Sequence, residues 1–398
     1  MSGRVVIVGA GQAAVSCIAA LRAGNPKCPI VLIGEEEHLP YRRPPLSKEC
    51  LIGDASLENI LLRPAGWFDG VDLRLGRRVE AVELGESRVM LGNGERLSYD
   101  HLVLCTGARA RTLDRHDEGA SAGVHVLRTR DDAARLKADL EPGRRLLVVG
   151  GGYVGLEVAA AAKARGVEVI LVETGARILG RVASAFTADR IRAIHVARGV
   201  DLREATGLVA LRCDGRVTSA LLSDGCEIAV DIVVVGIGAQ PNDELASGAG
   251  LATEDGIAVD ELCRTSNRQV LAAGDCTSFS LAGRRVRLES VQNANDQGET
   301  AATTILGQPR PYKPIPWFWS DQYDTKLQIA GLAEGHDEIV VRPGRRANAT
   351  SIWYFKGGQL LAVDAINDPA SYMLGRRMLA AAMNPHSPDL DRMLPAGG

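Results

Sequence analysis

The chain has 398 residues, a length that suits two or three domains, and 46% of them are hydrophobic, ample for sizeable cores. Its 46 Lys+Arg stand against 49 Asp+Glu, a net charge of -3, which lacks the basic excess of a nucleic-acid binder. No apolar run approaches the roughly 20 residues of a membrane span, so neither nucleic acid nor membrane is an expected partner.

Arg4 to Val8 reads as a short buried strand ended by Gly9, and Gln12 to Ala23 as its crossover helix, stopped by Gly24 and Pro26. Ile30 to Ile33 is the next strand, completing a βαβ unit. The apolar stretch after Arg4 is not a signal peptide, because Gly9-Ala10-Gly11 interrupts it. Residues 38 to 66 are Pro-rich and aperiodic, a long functional loop region. Asn93-Gly94 joins Arg88-Leu91 to Arg96-Tyr99 as a hairpin, and His101 to Cys105 is a further buried strand ending at Thr106-Gly107.

The pattern then restarts. Arg145 to Val149 is a strand, Tyr153 to Arg165 an Ala-rich helix, and Val167 to Val172 the next strand. Leu208-Arg212 and Val217-Leu222 suggest a meander; Ile232 to Val235 closes the insert, and Gln269 to Ala272 is a last apolar strand. From about Pro314 the composition changes. Trp317, Phe318 and Trp319 cluster, and strand-like segments follow at Leu327-Ala330, Glu338-Arg342, Ser351-Phe355 and Leu360-Ile366, then a helix near Tyr372-Met383. The expected fold is α/β. Two Rossmann-like dinucleotide-binding domains, one inserted in the other, are followed by a C-terminal α+β domain. The expected spans are 1–112 with 241–313, 113–240, and 314–398.

Both restarts carry a glycine turn. Gly9-Ala10-Gly11-Gln12-Ala13-Ala14 is followed 26 residues after Gly9 by Glu35, and Gly150-Gly151-Gly152-Tyr153-Val154-Gly155 is followed 23 residues after Gly150 by Glu173. A glycine turn between strand and helix lets backbone approach a pyrophosphate, the helix N-terminus supplies N–H groups, and an acid about 20 residues on bonds the ribose. Ala14 stands for the third glycine. Two such sites imply two dinucleotides, a flavin and a nicotinamide. Glu173 would repel a 2′-phosphate and so favours NADH; Arg177 and Arg181 keep NADPH open.

The eight cysteines are scattered, with no Cys-x-x-Cys pair, which removes the usual redox dithiol and the usual zinc or iron-sulfur spacing. Thiols in this number fit a reducing cytoplasm. No metal site is expected.

The motifs fall in a family order: Gly9-x-Gly11, Tyr41-Arg42-Arg43-Pro44-Pro45-Leu46-Ser47-Lys48, Thr106-Gly107, the second glycine turn, Gly238-Ala239-Gln240-Pro241-Asn242 and Ala273-Gly274-Asp275. Glu289-Ser290-Val291-Gln292-Asn293-Ala294 and Pro316-Trp317-Phe318-Trp319-Ser320-Asp321-Gln322 complete the set. In these motifs the chain resembles, over nearly its whole length, the FAD-dependent ferredoxin reductases of the oxygenase-coupled type. That family includes the putidaredoxin and biphenyl dioxygenase reductases and shares the glutathione reductase fold.

The resemblance implies an NADH:ferredoxin oxidoreductase. FAD would take a hydride from NADH and pass single electrons to a [2Fe-2S] ferredoxin serving a cytochrome P450 or a Rieske-type oxygenase. Rubredoxin is a variant acceptor, and a monomer is expected. For FAD it implies Gly9, Gly11, Ala14, Glu35, Arg42, Lys48, Thr106, Gly107, Asp275, Val291 and Trp319; for NAD, Gly150, Gly152, Gly155, Glu157, Glu173, Gly238 and Glu289. Lys48 would pair with Glu157 near the flavin N5 edge, Tyr153 would cover the flavin, Glu289 would join Glu157 at the carboxamide, and Trp319 would lie by the isoalloxazine. Simpler structural readings exist beside these: a helix cap for Asp275, a salt bridge for Glu289, helix-start packing for Tyr153. Docking of an acidic ferredoxin would use Arg284, Arg285 and Arg287, or Arg310 and Lys313. The alternatives are an NADH oxidase, a monodehydroascorbate-like reductase, or a redox sensor resembling apoptosis-inducing factor.

Overall fold

The structure is a computed structural model and describes residues 3–53, 57–113 and 122–383; the remaining parts of the spans proposed from sequence lie outside them. The chain forms two compact units, one of residues 1–42, 57–109 and 239–314, the other of residues 43–56, 110–238 and 315–398.

In the first unit, five parallel strands lie in the order Val270–Ala272, His101–Leu104, Val5–Val8, Ile30–Ile33, Val71–Arg74. Because side chains alternate across a strand, Val5, Ile7, Leu32, Val103 and Leu271 face one core with the helices Gln12–Gly24 and Val291–Ile305. Val6, Val8, Val31, Leu102 and Leu104 face another, shared with the meander of Val79–Glu83, Arg88–Leu91 and Arg96–Ser98. Burial on both faces explains the uninterrupted apolar runs in the sequence. At Gly298 a Cβ would stand 2.3 Å from Ala13 O, so that glycine sets how closely the two helices approach.

The second unit holds a parallel sheet in the order Asp201–Arg203, Glu168–Val172, Arg145–Val149, Ile232–Val235, Val124–His125, with a meander of Leu208–Asp214, Arg216–Leu222 and Glu227–Ala229. It also holds the antiparallel sheet Trp317–Gln322, Thr325–Gly331, Gln359–Ile366, Thr350–Lys356, Glu338–Pro343, backed by the helix Pro369–Ala380. The strands and helices read from sequence recur within a few residues at their ends. Several edge strands were not read, among them Val79–Glu83 and Asp201–Arg203. Val71–Arg74 is only half-buried and alternates polar with apolar, and Val124–His125 is too short to show a period. The helices Arg130–Asp139, Ala185–Ala197 and Val291–Ile305 were also missed, although Thr129, Ser184 and Ser290 cap them through side-chain oxygens.

A buried polar cluster ties the helix Ala185–Ala197 to the antiparallel sheet. The Tyr354 hydroxyl donates to Asp364 Oδ2 at 2.6 Å and lies 2.8 Å from Ser184 Oγ, while Thr187 Oγ1 donates to the same carboxyl oxygen at 2.7 Å. Burial raises the Asp364 carboxyl from its ordinary 3.8 to about 6, against these hydrogen bonds. A raised acid binds its proton more tightly when folded, so its contribution is greatest below the unfolded value and is lost as pH rises towards 6. In urea titrations, Asp364→Asn should therefore gain on the parent by up to about 3 kcal/mol between pH about 4 and about 7. A pH-independent difference would count against a raised Asp364 pKa.

Candidate functional site

The first glycine turn joins strand Val5–Val8 to helix Gln12–Gly24. Gly9 has φ +102, and a Cβ there would sit 2.1 Å from Cys105 O, so only glycine fits. At Gly11, the extended residue preceding the helix, a Cβ would meet nothing within 4 Å. Ala14 is fully buried one turn in. The second turn repeats this design. Gly150 has φ +108 with Gly236 O 2.4 Å from an added Cβ, Gly152 opens on space, and Gly155 packs so closely that a Cβ would lie 2.2 Å from Gly150 O.

Both helices begin with no side-chain cap, unlike the helices capped by Thr129, Ser184, Ser290 and Asp368, and neither has an acidic residue in its first turn. Their first N–H groups and partial positive charge face the open glycine. A pyrophosphate fits this combination: bare backbone, room for close approach, and an uncompensated helix end.

The remaining residues expected around the first turn divide by what they touch. Glu35 is largely exposed and stands 3.5 Å from Arg78 Nη1. Arg42, also exposed, donates to Asn59 O at 2.8 Å. Thr106 Oγ1 donates to Asn242 O at 2.6 Å, and Asn242 Nδ2 returns a bond to Thr106 O at 2.9 Å, clamping the turn at Gly107, where φ is +66. Asp275 follows Gly274, whose N–H donates to Gln297 Oε1 at 2.9 Å. Gln297 is fully buried, yet its Nε2 has no hydrogen-bond partner among the described residues. That orphaned donor beside Asp275 is a second feature that suits a bound polar ligand, and sequence reasoning missed it. Val291 opens the helix capped by Ser290. Glu289 is ion-paired with Arg287, the structural alternative for that residue.

Around the second turn, Glu173 Oε2 accepts from Gly151 N at 2.8 Å, and Oε1 accepts from Gly175 N at 2.7 Å and from Thr174 Oγ1 at 3.4 Å, which braces the turn and leaves a lone pair on Oε2. Gly238 has φ +105, with Arg181 Nη2 3.3 Å from where a Cβ would be. Arg177 donates to Ala183 O at 2.8 Å, within its own loop.

Residues 43–53 bring Lys48 to the helix Tyr153–Ala164. Lys48 Nζ lies 2.7 Å from Glu157 Oε2, with the carboxylate side chain 5% exposed. Ser47 Oγ donates to that same oxygen, and Ser320 Oγ donates to Glu157 Oε1 at 2.6 Å. The buried carboxylate is therefore bound by one cation and two hydroxyls, the arrangement a buried charge requires. Neither serine was singled out from sequence. Tyr153 stacks at 4.5 Å from Phe318, and burial pushes its phenol well above its ordinary value. Trp319 is half-buried, 5.6 Å from Trp317, which in turn lies under Arg376. Of the basic clusters, Arg285 pairs with Glu254, Arg287 with Asp255 and Glu289, and Arg310 stands 3.8 Å from Glu299, so much of that charge is compensated locally. Among the described residues no group of three or more His, Cys, Asp or Glu forms a metal site, and no helix is long and apolar enough to cross a membrane.

Two glycine turns of this construction, each followed by its own parallel sheet, define a protein that binds two dinucleotides. The chain belongs to the pyridine nucleotide-disulphide oxidoreductase family, which matches residues 3–298, with a reductase C-terminal domain matching residues 317–392. It is similar to rhodocoxin reductase of Rhodococcus erythropolis, 41% identical over 95% of this chain and 90% of that protein. The ferredoxin–NAD(+) reductase component of an anthranilate 1,2-dioxygenase system from Burkholderia cepacia is 42% identical over 96% of this chain and 95% of that one. Among solved structures, the covalent putidaredoxin reductase–putidaredoxin complex superposes with TM-score 0.93 at 36% identity, covering 98% of each chain. A ferredoxin reductase from Rhodopseudomonas palustris gives TM-score 0.93 at 37% identity, over 96% of this chain and 95% of that one.

The glycines of one turn should respond differently to the same substitution. Gly150→Ala, with a positive φ and a carbonyl in the way, should lose more than about 3 kcal/mol in urea unfolding. Gly152→Ala, extended and facing open space, should stay within about 0.5 kcal/mol of the parent.

Proposed function

We propose that this protein is an NADH-dependent ferredoxin reductase that feeds single electrons to a [2Fe-2S] ferredoxin of a cytochrome P450 or Rieske-type oxygenase system. The observation that carries the reading is the Lys48–Glu157 pair, set on a two-dinucleotide fold whose sequence has no Cys-x-x-Cys pair. Its relatives include the ferredoxin reductase for a CYP199A2 system and the reductase component of an anthranilate 1,2-dioxygenase system, and one solved relative is captured in a covalent complex with putidaredoxin.

We assign FAD to residues 1–112 and 241–313, NADH to 113–240, and the C-terminal domain to 314–398. Bound FAD supplies the chemistry that accepts a hydride and releases electrons singly. The chain's own residues do the rest. Gly9, Gly11 and the uncapped helix end hold one pyrophosphate, with Ala14 packing the helix close, Asp275 and Val291 at the flavin's side, and Thr106-Gly107 shaping the wall. Gly150, Gly152, Gly155 and Gly238 do the same for the nicotinamide dinucleotide. Glu35 and Glu173 take the riboses and Arg42 a phosphate. Lys48 places a positive charge where negative charge collects on reduction, and Glu157 limits its movement. Tyr153 covers the flavin until nicotinamide arrives, Glu289 joins Glu157 at the carboxamide, and Trp319 lines the ring.

NADH is favoured over NADPH because Glu173 disfavours a 2′-phosphate and Arg177 is engaged with its own loop. The buried thiols of Cys17, Cys105, Cys263 and Cys276 are in keeping with a cytoplasmic location.

The test is stopped-flow mixing of the holoprotein with NADH, then with a [2Fe-2S] ferredoxin and cytochrome c. Rapid flavin bleaching with ferredoxin-dependent cytochrome reduction is expected. Bleaching with oxygen uptake and no ferredoxin dependence would instead make the protein an oxidase. Asp275→Ala should purify depleted of FAD; full flavin occupancy and unchanged affinity would remove the Asp275 assignment. Glu173→Ala should narrow the NADH/NADPH ratio of kcat/KM by about tenfold, and an unchanged ratio would leave the coenzyme choice without its reason.

A further inference from the structure

Behind the Lys48–Glu157 pair runs a chain of buried polar groups with no counterpart among the residues assigned above. Ser320 Oγ, which donates to Glu157 Oε1, accepts from Gln322 Nε2 at 3.0 Å. Gln322 Oε1 lies 2.8 Å from His195 Nε2, and His195 Nδ1 lies 3.3 Å from the Tyr323 hydroxyl. Ser320 and His195 are fully buried and Gln322 is 2% exposed. His195 sits on the helix Ala185–Ala197; the others lie on or just after the strand Trp317–Gln322.

The donor directions follow from the acceptor at one end. A carboxylate only accepts, so the single hydroxyl proton of Ser320 goes to Glu157. Ser320 must then accept, which turns the Gln322 amide so that its NH2 faces the serine and its oxygen faces His195. That oxygen only accepts, so His195 carries its proton on Nε2. Burial lowers the His195 pKa and favours the neutral ring, leaving Nδ1 to accept from Tyr323. All four bonds point towards Glu157, and no atom of Ser320, Gln322 or His195 is left unsatisfied. Fully satisfied buried networks hold their members rigidly. On the carboxylate, Oε2 is shared by Lys48 and Ser47, whereas Oε1 is held by Ser320.

We propose that His195 is a positioning residue for the Lys48–Glu157 pair, fixing the Glu157 carboxylate through Gln322 and Ser320 and so confining the Lys48 ammonium. The proposal rests on the reading of that pair as the flavin-edge pair. A residue that merely fastened helix to strand would affect stability without reaching Lys48.

The test measures how fast Lys48 is acetylated by an amine-reactive ester in the holoprotein, by peptide mass spectrometry, with the six other lysines of the chain as internal standards. His195→Leu removes the donor, and Gln322→Met cuts the chain at its middle with little change of shape. Each should raise Lys48 acetylation about fivefold relative to the other lysines, the effect of losing one buried hydrogen bond. His195→Gln, whose amide nitrogen can stand where Nε2 stood, should restore the slow rate. If Lys48 stays within about twofold of the parent in both cut variants while unfolding midpoints fall, the chain is structural only and the proposal is overturned. Glu157→Gln separates the two readings. If it releases Lys48 but leaves flavin reduction by NADH unchanged, the flavin-edge reading fails while the positioning role stands.

Discussion

In each parallel sheet, a backbone carbonyl occupies the space where a side chain would begin. Cys105 O crowds Gly9 and Gly236 O crowds Gly150, so the strand beside the first one passes within reach of its turn only because no Cβ is present. This close approach lets the chain leave the strand sharply and start a helix whose first N–H groups face open space. Gly11 and Gly152, by contrast, have room to spare. The same residue type thus does two jobs two positions apart, making the turn and leaving the door open.

Glu157 shows the converse, a charge that must be surrounded. A carboxylate at 5% exposure is stable only with enough donors, and carboxylate and donors together come from three separate stretches of chain. Lys48 and Ser47 arrive from the segment after Arg42, Ser320 from the antiparallel sheet, and the helix Tyr153–Ala164 carries the carboxylate itself. The C-terminal sheet is therefore part of the site's construction, and its aromatic edge, with Phe318 against Tyr153, adds packing to the same place.

Local features were the legible ones. The glycine turns, the acids after them and the doubly buried strands are each written within about thirty residues, where periodicity and turn chemistry operate. Lys48 with Glu157 came from family resemblance, because nothing local links residues 109 apart in sequence. Ser47, Ser320, Gln322 and His195 were invisible for the same reason: the serine bonds to Glu157 span 110 and 163 residues, and His195 to Gln322 spans 127. The orphaned amide of Gln297 could not be foreseen either, since burial without a partner is a property of the packed interior. The missed helices are a different case. Thr129-x-x-Asp132 and Ser290 were cap signals present in the sequence, and the helix after Ser290 has a pronounced apolar face as well, so these elements were locally legible and overlooked.

The order of strands also governs the order of assembly. The parallel sheet of the second unit is built from Val124 to Val235, one continuous stretch, whereas that of the first unit begins at Val5 and gains its last strand at Val270–Ala272. As the chain leaves the ribosome from its N-terminus, the later-starting sheet has all its strands first. The earlier-starting one must hold three apolar strands and the half-buried Val71–Arg74, with the edge at His101–Leu104 unpaired, until the rest arrives. An exposed parallel edge is prone to wrong pairing, so slow elongation or truncation between residues 105 and 270 would be the step at which a growing chain is most in need of a chaperone.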